Sequence, residues 1–134
     1  MIIPDCRKIV GGEGMGPAVV TTKPINFLAM LDPKLGKITD PKHELYDVPL
    51  AGRVLVFPFA VGSSVGAYVI YSMREYGTVP GAIVCSRTDI TTASGCAIAN
   101  IPLVGLPRGM SVTEVKRGSM LSVDADSGRI TVKI

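Results

Sequence analysis

The residues best suited to chemistry form the sequence Gly62-Ser63-Ser64-Val65-Gly66, which lies between a predicted strand and the start of a predicted helix. The first backbone N–H groups of a helix have no partner inside the helix and carry a partial positive charge. Here they run from about Ser64 to Ala67, and they would favour a carboxylate, a phosphate or a developing alkoxide. The sequence therefore predicts a site where a serine alkoxide removes a proton, with Gly62 leaving space for a substrate.

A simpler interpretation of this turn stays open, because serine is among the preferred N-cap residues of helices. A hydrolase triad is not indicated. Glycine stands at both offsets of a Gly-x-Ser-x-Gly motif only around Ser64, with Gly62 and Gly66, and the chain has a single histidine to serve as the base of such a triad. That residue, His43, lies in a polar loop sequence, where we expect a surface residue rather than a base or a ligand.

The sequence shows no metal or nucleotide motif. The three cysteines, Cys6, Cys85 and Cys96, form no CxxC pair, so we expect this chain alone to bind no metal. The glycine-rich segment 11–16 does not match GxGxxG and is followed by a predicted strand rather than a helix. We expect its glycines to allow a tight connection and a close approach of two backbones.

A strand–helix–strand unit positions the Gly-Ser-Ser turn. The nearly all-apolar run 52–58 predicts a strand buried on both faces. Apolar residues at spacings of three and four predict a helix over 65–76, and Gly77 predicts its end. A second buried strand follows at Ala82–Cys85. Such a unit favours parallel pairing with a right-handed connection.

The rest of the chain predicts a sheet-rich α/β fold with about two helices, as a single domain over 1–134. Small residues over 89–100 predict the second helix, with Asp89 or Thr88 as its cap. The further predicted strands are 7–10, 18–22, 101–104, 120–123 and 129–132, of which the last two form a hairpin.

Composition excludes several classes of protein. With 47% hydrophobic and 19% charged residues, the chain is not of the disordered type. The basic residues are scattered and lack interleaved aromatics, so we expect no nucleic-acid binding. No apolar run approaches the roughly 20 residues of a membrane-spanning helix, and no signal peptide is visible, so we expect a cytoplasmic protein with reduced thiols. A net charge of +3 suits a small anionic substrate or an acidic partner surface.

Several segments, in order, carry a resemblance to a known family. They are Gly52-Arg53-Val54-Leu55-Val56-Phe57-Pro58, the Gly-Ser-Ser turn, Pro80-Gly81-Ala82-Ile83-Val84 and Gly95-Cys96-Ala97-Ile98-Ala99-Asn100-Ile101-Pro102. This ordered set resembles the small subunit of aconitase X proteins. The likeness runs from about Arg7 to Val104, and the Asp32-Pro33-x-x-Gly36 turn fits it too.

The resemblance implies a swivelling β/β/α domain, similar to the mobile domain of aconitase. Such a domain closes over a large subunit that carries an iron–sulfur cluster, expected to be 4Fe-4S. The resemblance implies that Ser63 is the catalytic base, with Ser64 as the next candidate, and that Gly62, Ser64, Val65 and Gly66 contact the substrate. The cluster iron would act as a Lewis acid on the leaving hydroxyl while the serine takes a proton from the adjacent carbon. Activity would require both chains.

The implied reaction is a hydro-lyase step of archaeal isoprenoid biosynthesis through mevalonate, in which mevalonate 5-phosphate becomes trans-anhydromevalonate 5-phosphate. The alternative within the family is dehydration of cis-3-hydroxy-L-proline. Two positions depart from the related patterns. Val65 stands where aconitase has an arginine that grips a substrate carboxylate. Asn26-Phe27-Leu28-Ala29-Met30 replaces a Ser-Phe pair followed by glycine-rich residues, so the family pattern carries no substrate contact over to Asn26.

Two other classes of function remain as hypotheses. The chain could be a non-catalytic interaction module that docks through the charge-free segment 90–107, although that segment is equally typical of core. It could also be an enzyme that acts alone on a small molecule.

Overall fold

The structure is a computed structural model that describes residues 1–133. Ile134, the last residue of the predicted domain, lies outside the described residues. Within residues 1–133, the strands are β1 (Ile2–Ile3), β2 (Arg7–Val10), β3 (Glu13–Val20), β4 (Leu31–Asp32), β5 (Lys37–Ile38), β6 (Val54–Phe57), β7 (Ala82–Cys85), β8 (Leu103–Gly105), β9 (Met120–Asp124) and β10 (Arg129–Lys133). The helices are α1 (Phe27–Met30), α2 (Gly66–Tyr76) and α3 (Ile90–Ala99), with a 3-10 turn at Val112–Glu114.

One mixed sheet organises the chain. Its strand order is β1-β10-β9-β3-β6-β7-β8-β2, and β4 and β5 form a separate pair. Strands β3, β6, β7 and β8 run parallel, whereas β1, β2, β9 and β10 join antiparallel. The predicted crossover is confirmed, because β6 pairs in parallel with β7 from Val54↔Ala82 to Phe57↔Cys85, with α2 between them.

The fold has three layers because β3 changes partners halfway along its length. Residues 13–17 pair with β9, and residues 18–20 pair with β6. Along β6, Val54 and Val56 belong to a buried cluster that includes residues of β9 and β10. Leu55 and Phe57 belong to a second cluster that includes Ile70 of α2. Strands therefore cover one face of the parallel sheet and helices cover the other, which confirms the predicted sheet-rich β/β/α class.

The two predicted helices are confirmed, and a third, the four-residue α1, is not predicted by the sequence. Helix α2 ends at Gly77, whose φ of 71° places it in the left-handed region, as its position in the sequence predicts. Helices α2 and α3 approach closely at Gly95, where a methyl group would lie 2.8 Å from the Cβ of Ile70. No helix among residues 1–133 is long and apolar enough to cross a bilayer.

The prediction for the glycine-rich segment is wrong in one respect. Strand β3 begins inside this segment, whereas the sequence predicts a connection there and a strand over 18–22. Gly14 lies against the carbonyl oxygen of Gly81, and Gly16 lies against that of Gly52, so a side chain at either position would overlap the backbone. The predicted close approach of backbones is confirmed, but it occurs within a strand.

His43 is not the surface residue that its polar surroundings predict, because only 7% of it is exposed. Its Nδ1 accepts the Leu45 N–H at 3.0 Å, and its Nε2 lies 3.1 Å from the carbonyl oxygen of Pro24. With Nδ1 as an acceptor, the assigned tautomer carries its proton on Nε2 and donates it to Pro24. The imidazole therefore joins two loop segments and is not available as a base.

Most of the charge-free segment 90–107 is core. Residues 101–106 are all buried, whereas Ile90 and Ile98 are exposed on the outer face of α3. Strand β8 and its flanking residues therefore pack in the core. Within this segment, only the outer face of α3 is free to contact another molecule.

Candidate functional site

The Gly-Ser-Ser turn lies between the carboxyl end of β6 and the first residue of α2. Gly62, Ser63, Ser64 and Val65 are exposed, and Gly66 is buried as the first helical residue. The parallel strands β3, β6 and β7 end at this edge of the sheet, and ligands of α/β proteins bind at the carboxyl ends of parallel strands. Four of the five predicted site residues therefore form one surface turn in the expected place.

The predicted row of free amides is wrong for most of its members. The Val65 N–H donates to Ser63 Oγ at 3.2 Å, and the Gly66 N–H donates to the Ser63 carbonyl at 3.0 Å. The Ala67 N–H donates to the Ser64 carbonyl at 3.1 Å. The chain tightens before the helix begins, and these short-range bonds occupy amides that would otherwise be open. Of the predicted amides, only that of Ser64 has no partner among residues 1–133.

Ser63 nevertheless retains the electrostatic setting of a base. Its Oγ accepts one backbone N–H, and a hydrogen bond donated to an oxygen favours the anionic form of that oxygen. Helix α2 has no acidic residue in its first turn, and Val65 supplies no side-chain cap. The positive end of the helix therefore acts on Ser63 with no carboxylate from that turn to neutralise it. This arrangement can stabilise a serine alkoxide that is exposed to a substrate.

Asn26, to which the sequence assigns no role, lies directly against Gly62. A side chain at Gly62 would overlap the Asn26 carboxamide, and its φ of 94° also favours glycine. The Asn26 Oδ1 in turn accepts the Ala29 N–H at 3.1 Å and so caps α1. An asparagine before a helix is a recognisable cap in a sequence. Its contact with Gly62 is not recognisable, because the two residues are far apart along the chain.

The first turns of all three helices converge around the Gly-Ser-Ser turn. A methyl group at Gly66 would lie 3.2 Å from the Cβ of Phe27 in α1 and 3.3 Å from the Cγ2 of Thr91 in α3. Helix α2 can start this close to its neighbours because its first residue has no side chain. The position of the turn therefore depends on two flanking segments, the start of α1 and the start of α3.

Glu44 fixes the segment that runs from β3 to Asn26. Its Oε1 accepts the Thr21 hydroxyl and the Thr22 N–H, the latter at 2.6 Å, while its Oε2 lies 3.4 Å from the Arg117 guanidinium. The Thr21 hydrogen bond, followed by that of the Thr22 amide, lowers the pKa of Glu44 from 4.5 to about 2. Glu44 is therefore a charged residue that holds the surrounding loops together, rather than a group that transfers protons.

The cysteines of this chain do not fit an iron–sulfur cluster. Cys6, Cys85 and Cys96 are buried and free, and burial raises the pKa of all three thiols, that of Cys85 to about 12. An iron–sulfur cluster needs several cysteines that converge on it, but Cys6 lies in one buried cluster and Cys85 and Cys96 lie in the other. In the described part of the chain, no group of three or more His, Cys, Asp or Glu side chains is arranged to hold a metal ion.

Four exposed apolar residues form a rim beside the Gly-Ser-Ser turn. The rim consists of Leu28, Val61, Val65 and Ile90, which lie at the starts of the three converging helices and are between 43% and 79% exposed. Single exposed hydrophobic residues are ordinary, but four of them at one edge of a sheet mark a surface for contact. Two cavities, of about 370 and 230 Å³, are lined by other residues. Ser63 therefore lies on an open surface and outside both of these cavities.

Comparison with known proteins decides the family. Residues 3–132 match the family described as "Aconitase X swivel domain". This chain belongs to the aconitase X swivel-domain family. The resemblance drawn from the sequence is thus confirmed.

Relatives of this aconitase X swivel domain are known from archaeal hosts. It is 40% identical over 126 residues to the phosphomevalonate dehydratase small subunit of Thermococcus kodakarensis, covering 94% of this chain and 92% of the relative. It is 43% identical over 121 residues to the protein of the same name from Methanothrix thermoacetophila, covering 90% and 87%. A crystal structure of Thermococcus kodakaraensis aconitase X in its holo-form matches 100% of this chain and 99% of its own, with a TM-score of 0.92 and 37% identity.

Proposed function

We propose that this chain is the small subunit of a two-chain hydro-lyase that dehydrates mevalonate 5-phosphate to trans-anhydromevalonate 5-phosphate, with Ser63 as the base. The relatives named phosphomevalonate dehydratase small subunit support the reaction. The observation that carries the role of Ser63 is its exposed hydroxyl at the start of α2, which accepts the Val65 N–H.

In this reaction Ser63 Oγ takes a proton from the carbon next to the one that bears the hydroxyl. The electron pair of the broken C–H bond forms the carbon–carbon double bond, and the hydroxyl leaves as hydroxide, which takes up a proton from solvent to become water. Ser63 then releases the abstracted proton to solvent, so that the net products are the alkene and one water. A proton transfer by a positioned group of this kind contributes about 100- to 10,000-fold to a rate. Gly62, Ser64 and Val65 contact the substrate from the exposed side of the turn, and the buried Gly66 lets α2 start close enough to α1 and α3 to hold that turn in place.

The second chain supplies what this one lacks. The large subunit would cover the apolar rim of Leu28, Val61, Val65 and Ile90 and would bind the iron–sulfur cluster, expected as 4Fe-4S. The buried thiols of this chain support that division. We propose that residues 1–134 act as one swivelling unit that closes on the large subunit in the cytoplasm.

The test is co-production with the large subunit, followed by assay on mevalonate 5-phosphate and on cis-3-hydroxy-L-proline. We expect Ser63→Ala to lower kcat about 1,000-fold or more while gel filtration still shows the two-chain complex. Ser94→Ala, which changes an exposed serine of α3, is the matched control and should keep full activity.

Each other outcome points to a different function. Near-normal turnover of the Ser63→Ala enzyme would move the base to Ser64. Turnover of hydroxyproline alone would assign the chain to the other dehydratase of the family. An active purified chain without a partner would indicate an enzyme that acts alone, and an assembled but inactive pair would favour an interaction module.

A further inference from the structure

The loop between β7 and α3 carries an arginine at the same sheet edge as Ser63. Arg87 follows the end of β7, and its backbone N–H donates to the Pro58 carbonyl at 2.9 Å, so the loop is attached to the chain that leaves β6. The guanidinium carbon of Arg87 lies 4.4 Å from the centroid of the Phe59 ring. Stacking of this kind orients a guanidinium over an aromatic face while leaving its N–H groups in the plane free.

The guanidinium of Arg87 donates no hydrogen bond to any group among residues 1–133. The ion pairs there join Lys8 to Asp126, Lys37 to Asp47 and Arg117 to Glu44. Asp89, two residues after Arg87, has both oxygens engaged at the start of α3. Arg7 and Arg74, by contrast, donate to backbone carbonyls and so serve the fold.

The stacking partner of Arg87 is fixed relative to Ser63. Phe59 lies four residues before Ser63, and its carbonyl accepts the Ile25 N–H at 3.2 Å. The Val61 N–H donates back to the Ile25 carbonyl at 3.0 Å, which fixes the chain on both sides of Ala60. Directly after this loop, Thr91 in the first turn of α3 packs beside Gly66. The loop that carries Arg87 is therefore held beside the β6–α2 segment on both sides, by its bond to Pro58 and by the contact of Thr91 with Gly66.

We propose that Arg87 binds an oxyanion of the substrate, its phosphate or its carboxylate, through the free edge of the guanidinium. A guanidinium can hold either group with two parallel N–H···O bonds. Val65 has no group able to do this, so the anion is held by the neighbouring loop instead of the helix start. This assignment rests on the proposed function, because it takes the substrate to be the anion that reaches Ser63.

The test measures substrate affinity in the two-chain complex carrying Ser63→Ala, in which turnover does not interfere. We expect Arg87→Gln in that background to weaken binding of mevalonate 5-phosphate by about 10- to 100-fold, as the loss of a paired ionic hydrogen bond does. Arg87→Lys should recover part of the affinity, because it keeps the positive charge. The recovery should be incomplete, because lysine cannot donate the two parallel N–H bonds of a guanidinium. Phe59→Leu, which removes the ring under Arg87, should give a smaller loss that does not add to that of Arg87→Gln.

The matched control is Arg129→Gln, the same exchange at an exposed arginine where β10 begins, and it should leave affinity unchanged. Inorganic phosphate and acetate serve as separate probes of the complex. If Arg87→Gln weakens phosphate binding and not acetate binding, Arg87 holds the phosphate, and the reverse result assigns it to the carboxylate.

Two results would overturn the assignment. The first is an Arg87→Gln complex that binds the substrate within twofold of its parent while Ser63→Ala still abolishes turnover, which leaves the proposed function standing. The second is a loss of subunit association at unchanged substrate affinity, which makes Arg87 a contact with the large subunit. A wild-type complex with no dehydratase activity is a different failure, because it overturns the proposed function itself.

Discussion

Two neighbouring turns make the same connection with different chemistry. The β6–α2 and β7–α3 turns both leave the carboxyl end of a parallel strand and enter a helix. At the start of α3, Asp89 accepts the Thr91 N–H at 3.1 Å, the Thr92 N–H at 3.3 Å and the Thr92 hydroxyl at 2.6 Å. At the start of α2, Ser63 Oγ accepts only the Val65 N–H.

The start of α3 is capped in a way that stabilises the helix, whereas the start of α2 leaves a serine available for chemistry. The Asp89 carboxylate accepts two of the first amides of α3 and offsets the positive end of that helix. A neutral serine at α2 gives less stabilisation to the helix and leaves the positive end available. Sites of this kind trade some stability for activity.

The largest expected effect comes from making the two turns alike. Ser63→Asp would place a carboxylate beside the start of α2, as Asp89 does for α3, so we expect kcat of the two-chain enzyme to fall about 1,000-fold. The free energy of unfolding of the small subunit should stay equal or rise by about 0.5 kcal/mol, because aspartate is a good cap that suits the helix dipole. Steady-state kinetics and urea unfolding measure the two quantities.

Ser94→Asp is the control for the added charge, since it places the same carboxylate on the exposed side of α3. It should retain activity. If Ser63→Asp remained active, or if it destabilised the chain by more than about 1 kcal/mol, the two helix starts would not be comparable in the way described.

A smaller effect is expected from removing the cap of α3. Asp89→Ala should lower the free energy of unfolding by about 1–2 kcal/mol, because two amides and the Thr92 hydroxyl lose their acceptor. Asp89→Asn keeps an acceptor oxygen at the cap and should lower the free energy of unfolding by only a few tenths of the loss caused by Asp89→Ala. Urea unfolding of both variants decides the point, and equal losses for alanine and asparagine would show that charge rather than hydrogen bonding matters there.

The smallest expected effect on stability comes from replacing Glu44. This residue binds Thr21 and Thr22, in the segment that leads to the α2 turn, and it has no counterpart near α3. Because its pKa is lowered from 4.5 to about 2, its contribution to the free energy of unfolding is complete above about pH 4.5 and is lost as the pH falls towards 2. Glu44→Gln should therefore flatten the loss of stability in that window and cost about 0.5 kcal/mol or less at pH 7.

Urea unfolding between pH 7 and pH 2 tests this expectation, with Glu13→Gln, an exposed carboxylate of β3, as the control. The control should keep the slope of the unchanged chain. An identical slope for Glu44→Gln would mean that Thr21 and Thr22 do not hold the carboxylate in solution.

The sequence predicted those parts of the fold that depend on interactions between residues close together in the chain. The apolar runs of β6 and β7, the glycine after α2 and the aspartate before α3 each act on neighbouring residues, and each is where the sequence predicts it. The beginning of β3 was not predictable in this way. Gly14 and Gly16 are typical of a turn, and only the distant backbones of Gly52 and Gly81 explain them within a strand.

The same distinction between local and distant contacts applies to the candidate site. The Gly-Ser-Ser turn is a contiguous motif, so the sequence predicts its location, whereas the bonds of its amides depend on how tightly the chain turns before α2. Asn26, Arg87 and Glu44 reach this edge from separate loops. Their contacts with Gly62, Phe59 and Thr21 join residues far apart in the chain, and no local pattern indicates such pairs.

The three buried thiols also make the chain a reporter on its own motions. Cys6 lies in the cluster between the strand layers, whereas Cys85 and Cys96 lie in the cluster under the helices. A thiol with a raised pKa inside a packed cluster reacts with an alkylating reagent only when its surroundings open. The alkylation rate at each cysteine therefore records how often each layer opens, without any introduced label.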